Sequence, residues 1–74
     1  MHTGHITQLF HDKEYGLITT KNGEEAHFHK HCLWDIQFDQ LTQGQEVEFE
    51  IQQTYKGFLA FNIQPTVHSL IKAI

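Results

Sequence analysis

The stretch EVEFEIQQTYKGFLAFNIQP, residues 46–65, carries the clearest structural signal in this sequence. Apolar and glutamate side chains alternate through residues 46–53, which is the period-two pattern of a strand with one buried and one solvated face. Alternation resumes at residues 58–64, and the Lys56-Gly57 pair supplies a turn between the two runs. The pattern therefore predicts a β-hairpin. Its core positions would be Val47, Phe49, Ile51, Phe61 and Ile63, with Leu59 on the same face as the last two.

Three further short strands are predicted in the first half of the chain, at residues 5–10, 15–20 and 26–30. The first would bury Ile6, and Lys21-Asn22-Gly23 forms the loop between the second and third, where glycine tolerates a positive φ. Five short strands with almost no helix favour an all-β, antiparallel, closed or nearly closed barrel, because closure leaves no exposed sheet edge.

Two segments lack this alternation. Residues 31–41 have no clear period and are predicted to cross the barrel as a turn and an irregular loop, with Leu33 and Leu41 buried. Apolar residues after Pro65 recur at helical spacing, which predicts a short helix that frays unless it docks on a surface. We therefore expect a barrel at residues 1–64 and a tail at residues 65–74. The tail stripe consists of Val67, Leu70, Ile71 and Ile74.

Length and composition limit the class of protein. With 74 residues, 39% of them apolar, the chain is expected to form one small globular domain. A single cysteine excludes an intramolecular disulfide, and with it a disulfide-stapled secreted scaffold. No apolar run is long enough to span a membrane, and the first residues lack the features of a signal peptide. The expected location is the cytoplasm.

The charge pattern argues against a protein that coats duplex DNA by charge alone. The formal net charge is −4 with neutral histidines, and protonation of all seven would raise it to +3. Because an unperturbed imidazole changes charge between about pH 5 and 8, the sign of the net charge is expected to depend on pH.

The second and third predicted strands bring ring side chains together. A three-residue loop at residues 21–23 places Tyr15 opposite His29 and Leu17 opposite His27. Lysines lie at the flanks of this pairing, at positions 13 and 30. Bases stack on such rings at roughly 1–3 kcal/mol each, and lysines hold phosphates. The arrangement predicts a small stacking platform for a single-stranded nucleic acid.

Two motifs carry a family resemblance: KEYGLI at residues 13–18 and AHFHK at residues 26–30. They resemble the K-G-F-G-F-I and V-F-V-H-F motifs of the cold-shock domain, and the spacing matches without gaps to about Gln64. The resemblance implies a five-stranded Greek-key barrel of the oligonucleotide-binding type. It also implies single-stranded RNA or DNA as the partner, base stacking as the mechanism, and a role as RNA chaperone or regulator of transcription or translation.

Transferred position by position, the resemblance implies a binding face in which Tyr15 and Phe38 are exposed stacking groups. Several family residues are replaced here: Gln8-Leu9 stands for a Trp-Phe pair, and Glu14 stands for a glycine and adds negative charge. For Phe10 and Phe58, packing at the barrel end is an equal alternative. The predicted nucleic-acid-binding residues are Phe10, Lys13, Tyr15, Leu17, His27, His29, Lys30, Phe38, Lys56 and Phe58.

The His27-x-His29-x-His31-Cys32 run contains residue types that bind transition metals. Three imidazoles on one straight strand would span about 13 Å, too far for one ion, so no metal site is predicted. Cys32 is expected to be a small buried residue. The sequence contains no pairing of nucleophile and base, paired carboxylates or phosphate loop, and we predict neither an enzyme nor a bound cofactor.

A protein-interaction module on the same barrel is the alternative function. Trp34 either clamps the crossing loop onto the barrel or is exposed; the first interpretation is favoured by sequence alone. If exposed, Trp34 could form an apolar patch with Ile36 and the tail stripe, and this patch would serve a weak protein partner or self-association.

Overall fold

The computed structural model describes residues 1–34 and 36–66 and contains five β-strands. They are β1 (His2–Phe10), β2 (Tyr15–Thr20), β3 (Glu25–His29), β4 (Glu46–Thr54) and β5 (Gly57–Pro65). Two single-turn 3-10 helices, Lys30–Cys32 and Phe38–Gln40, lie in the segment that crosses from β3 to β4. All five predicted strands are present, and β1 begins three residues earlier than the alternation indicated.

The strands close into a barrel in the order β1-β2-β3-β5-β4. β1 also pairs with β4, which closes the barrel. Every pairing is antiparallel except that of β3 with β5. That parallel junction is short and pairs Ala26 with Phe58 and His27 with Leu59. The predicted closed all-β barrel is confirmed, with one parallel junction in place of a fully antiparallel sheet.

The barrel core depends on the glycine at position 16. Gly16 pairs with Phe28 across β2 and β3, and the Phe28 ring is 1% exposed. A Cβ at Gly16 would lie 2.7 Å from both the Gln8 carbonyl oxygen and Phe28 Cζ, closer than packed atoms allow. Glycine is therefore required for β1, β2 and the Phe28 ring to pack together. The buried apolar residues are Ile6, Ile18, Ala26, Phe28, Phe38, Leu41, Val47, Phe49, Ala60 and Ile63.

One face of β5 differs from the prediction. Ala60 and Ile63 are fully buried, whereas Phe61 is only half-buried and pairs with the exposed Glu50 on the outside of the barrel. Asn62, which lies between Phe61 and Ile63, has φ 51°, and the register of β5 with β4 shifts at this point. This bulge changes the inward face by one residue, so Leu59 and Phe61 share the outer face while Ile63 faces the core. The prediction that Phe61 is a core residue on the same face as Ile63 is wrong.

The crossing segment contributes to the core and also exposes one large side chain. Leu41 is buried as predicted, and Leu33 and Ile36 pack against the core. The backbone N–H of Trp34 donates to the Ile63 carbonyl oxygen at 2.8 Å, but Trp34 itself is 57% exposed. The favoured interpretation of Trp34 as a clamp is therefore wrong. The predicted helical stripe of the tail lies outside the described residues.

Within residues 1–34 and 36–66, no helix has the length and apolar character needed to cross a membrane.

Replacing Gly16 with alanine is expected to lower the free energy of unfolding by about 3 kcal/mol, because the added methyl group overpacks the Phe28 ring and the β1 backbone. Chemical denaturation measures the change. Gly23→Ala is the matched control, since Gly23 has φ 87° and no atom within 4 Å of its Cβ position. Its cost comes from backbone conformation alone and is expected to be about 1 kcal/mol. Equal costs at the two glycines would contradict the packing argument.

Candidate nucleic-acid interface

Two stacked pairs of ring side chains lie next to each other on the outside of the barrel, and we call this set the ring row: Phe10, Tyr15, His29 and His31. Phe10 and Tyr15 stack with ring centroids 4.6 Å apart, and His29 and His31 stack at 4.8 Å. Tyr15 and His29 are cross-strand partners, as the loop length predicted. Because the preceding pair, Gly16 with Phe28, faces the core, this pair must face outward.

A bulge in β1 brings Phe10 to the ring row. The β1–β2 register shifts between Ile6 and Gln8, so that Leu9 packs against the core while Phe10 pairs with Tyr15. Without the extra residue, the alternation from Ile6 would turn Phe10 inward. Phe10 is half-buried against Tyr15 and is absent from the core cluster.

A second row of outward side chains runs parallel to the first, two residues along the strands. Gln8 pairs with Leu17, Leu17 with His27, and His27 with Leu59. Leu17, His27 and Leu59 are half-buried, yet neither leucine packs against the core. We call this set the middle row. Together the two rows give one outer face of rings and short apolar side chains.

His31 reaches the ring row by a turn and not by strand alternation. β3 ends at His29, and the Lys30–Cys32 helix redirects the chain so that the His31 N–H donates to His29 Nδ1 at 3.3 Å. The predicted straight arrangement of His27, His29 and His31 is therefore wrong. In the described part of the chain, no cluster of three or more His, Cys, Asp or Glu side chains could hold a metal ion. Cys32 is half-buried and packs against the core.

Two lysines lie near the end of the ring row, and one of them is paired with a carboxylate. Lys30 Nζ lies 2.8 Å from Glu14 Oε1, and both side chains are partly exposed. The hydrogen bond from Lys30 lowers the pKa of the Glu14 carboxyl, against a smaller opposing effect of desolvation, and the charges of Lys30, His29 and His31 lower it further. Lys13 is exposed in the turn before β2.

The backbone of Glu14 occupies the left-handed region, with φ 57°. Its N–H donates to the Phe10 carbonyl oxygen at 2.8 Å, and its carbonyl oxygen accepts from the Lys30 N–H at 3.0 Å. Both bonds hold the turn in this conformation. A non-glycine residue there costs about 1–2 kcal/mol, which explains why a glycine would be the unstrained choice at position 14.

Phe38 is the largest departure from the predicted face. It is 5% exposed, with its ring tilted against Phe28 at 6.3 Å and in edge contact with His11 at 5.4 Å. A capping box between Gln37 and Gln40 closes the 3-10 turn that carries it, and the ring packs into the core cluster. The expectation that Phe38 is an exposed stacking group is wrong.

Two other predicted residues lie away from the ring row. Phe58 packs against the core, which corrects its placement on the face and agrees with the packing alternative. Lys56 is in the turn before β5, near the Glu25 end of β3, while His29 lies at the opposite end. Lys56 Nζ lies 5.9 Å from the ring centroid of Tyr55, a side chain that is 96% exposed.

Sequence reasoning did not single out Tyr55, or the contact of His11 with Phe38. Tyr55 could have been found from its position in the hairpin turn, where a side chain lacks neighbours on adjacent strands. No sequence signal marks the His11 contact, since it depends on how the crossing segment folds.

A closed five-stranded barrel with rings along one outer face defines a small barrel of the oligonucleotide-binding type. The family model described as "'Cold-shock' DNA-binding domain" matches residues 2–66. The chain belongs to the cold-shock domain family.

Three named cold shock proteins are similar to this chain over most of their own length. Cold shock protein CspC of Bacillus subtilis is 30% identical over 64 residues, which is 86% of this chain and 97% of the relative. Cold shock-like protein CspG of Shewanella violacea is 34% identical over 62 residues, covering 82% and 89%. Cold shock protein CspB of Geobacillus stearothermophilus is 33% identical over 63 residues, covering 85% and 96%.

Phe38→Ala is expected to lower the free energy of unfolding by about 3 kcal/mol, because it removes a buried ring from the core. Tyr15→Ala removes only an outward ring stacked on Phe10 and is expected to cost about 1 kcal/mol. Urea denaturation of both variants measures the difference. A Phe38→Ala protein as stable as the wild type would show that this ring is not a core residue in solution.

Proposed function

We propose that this protein binds single-stranded RNA or DNA on the face formed by the ring row and the middle row. The observation that carries the proposal is the alignment of Phe10, Tyr15, His29 and His31 along one outer edge of the barrel. Rings at this position offer stacking surfaces to unpaired bases, whatever their sequence. Membership of the cold-shock domain family supports the same conclusion.

The mechanism is binding without a chemical step or a cofactor. An open strand lays its bases on the rings, and Lys13 lies at the flank for phosphate contact. Each base held this way is withdrawn from pairing, so binding traps open strands and melts weak secondary structure. The biological role is that of an RNA chaperone or a regulator of transcription or translation in the cytoplasm.

The salt dependence of binding is expected to be shallow. Each phosphate contact on a single strand contributes a slope of about −0.7 to the logarithm of affinity against the logarithm of salt concentration. Lys30 is engaged by Glu14, and Lys56 lies at the far end of β3, which leaves few cations at the ring row. Stacking is therefore the dominant source of affinity in this proposal.

Tyr15→Ala tests the proposal directly. The loss of one stacked base, worth roughly 1–3 kcal/mol, is expected to weaken binding of a short pyrimidine-rich single strand by about 5- to 150-fold. Fluorescence anisotropy at fixed salt measures it. Tyr55→Ala makes the same side-chain change at a 96% exposed site outside the ring row and is expected to change affinity less than about twofold. Equal losses in the two variants would contradict the assigned face.

Affinity is expected to rise as pH falls from about 8 to about 6, because protonated imidazoles on the two rows would attract phosphate. Each imidazole that acquires a phosphate contact adds about 0.7 to the magnitude of the salt slope. Relative to 1 M salt, this slope corresponds to a gain in affinity of about fivefold at 0.1 M. The lowered pKa of Glu14 keeps this carboxylate charged throughout the range, so it does not produce the rise.

Binding isotherms across this pH range provide the measurement. Changing His27, His29 and His31 together to glutamine is expected to abolish the rise, whereas His5→Gln, on the exposed side of β1, keeps it. An equal pH dependence in the triple variant would mean that the three histidines do not contact the strand.

A second candidate function is protein interaction through the surface around Trp34. The indole is 57% exposed beside a cavity of about 340 Å³. Ile36 packs against the core and lines the cavity near Phe38, so it does not extend this surface. Concentration-dependent spectral changes at Trp34, with no response of Tyr15 to single strands, would favour this function. The cavity beside Trp34 is lined by Met1, Trp34, Glu50, Asn62 and Gln64.

A further inference from the structure

The ion pair between Glu14 and Lys30 stands at the end of the ring row, where a strand would leave the rings. The two charged atoms are 2.8 Å apart, and the side chains are 46% and 41% exposed. An ion pair this exposed contributes little to folding. Its main effect is on the availability of the Lys30 charge to an approaching anion.

The position of the carboxylate is determined by the backbone. Glu14 is held in the left-handed region by its bonds to Phe10 and Lys30, with φ 57°. This conformation, which glycine adopts without strain, places a negative charge beside Lys30 and within the field of His29 and His31. Backbone strain of this kind is concentrated at functional sites in proteins.

We propose that Glu14 is an internal competitor for the strand's phosphate at this end of the ring row, and that it sets the affinity of the face by neutralising Lys30. This inference rests on the proposed function and names the residue that regulates it. A carboxylate and a phosphate oxygen compete for the same ammonium donors. A phosphate that approaches Lys30 must therefore displace Glu14, and it meets the repulsion of the carboxylate as it does so.

Glu14→Gln is expected to raise the affinity for a single strand at low salt. Freeing Lys30 for one phosphate adds about 0.7 to the magnitude of the salt slope. Applied over the interval from 1 M to 0.05 M salt, this slope corresponds to a gain of about eightfold in affinity at 0.05 M. The affinities of the variant and the wild type are expected to converge near 1 M salt. Glu14→Gly is expected to show the same gain.

Glu25→Gln is the matched control, because it removes one carboxylate from the exposed start of β3, four residues from His29. Its salt slope is expected to equal that of the wild type. Lys30→Met supplies the second test. In the Glu14→Gln background it should remove the whole gain in affinity, because the gain depends on the freed Lys30 ammonium.

The experiment is a salt titration of these proteins with one fluorescein-labelled pyrimidine-rich single strand, with thermal unfolding to confirm that each variant is folded. Equal gains and equal slopes for Glu14→Gln and Glu25→Gln would overturn the inference and leave the proposed function intact. A gain that persists when Lys30→Met is added to Glu14→Gln would overturn it as well. If the wild type and every variant fail to bind, the proposed function falls and the inference falls with it.

Discussion

The contact between the Gly16 backbone and the Phe28 ring determines how the rest of this protein is arranged. Gly16 and Phe28 are cross-strand partners that face the core, and the space at Gly16 is occupied by the ring and by the β1 backbone. Since successive pairs on two strands face opposite sides, the next pair, Tyr15 with His29, is forced to the outside. The core therefore positions the proposed binding face: the same register that buries Phe28 aligns the rings that would receive bases.

Local irregularities then adapt this regular frame. The bulge in β1 turns Phe10 outward to stack on Tyr15, and the 3-10 turn after β3 brings His31 against His29. The left-handed residue Glu14 puts a carboxylate at the end of the same row. Each device moves one side chain relative to simple alternation, and together they convert a pair of rings into a row of four with a charged end.

Much of the frame could be predicted because it depends on local patterns. The alternation in residues 46–53 defines β4, and the three-residue loop after β2 sets the pairing of Tyr15 with His29. The predictions that were wrong concern residues whose placement depends on irregular backbone. Asn62 shifts the face of β5, so Phe61 lies outside the core, and no periodicity reports such a bulge.

The site was harder to predict than the fold for the same reason. Phe38 and Trp34 lie in the crossing segment, where 3-10 turns replace a regular repeat. Family spacing assigned Phe38 to the exposed face, but the Gln37–Gln40 capping box and the contact with Phe28 bury it. The ion pair of Glu14 with Lys30 joins residues on either side of the β2–β3 hairpin, and it requires both the register of the hairpin and the left-handed turn at Glu14.

The central claim is that unpaired bases bind along the ring row. Its most direct test is an NMR titration of the ¹⁵N-labelled protein with a short pyrimidine-rich single strand, following every backbone amide. The account predicts that the largest shifts occur at Phe10, Tyr15, His29 and His31, and that residues on β4 change least. Largest shifts around Trp34 and Phe61, or no shifts at the ring row at saturating strand, would contradict it.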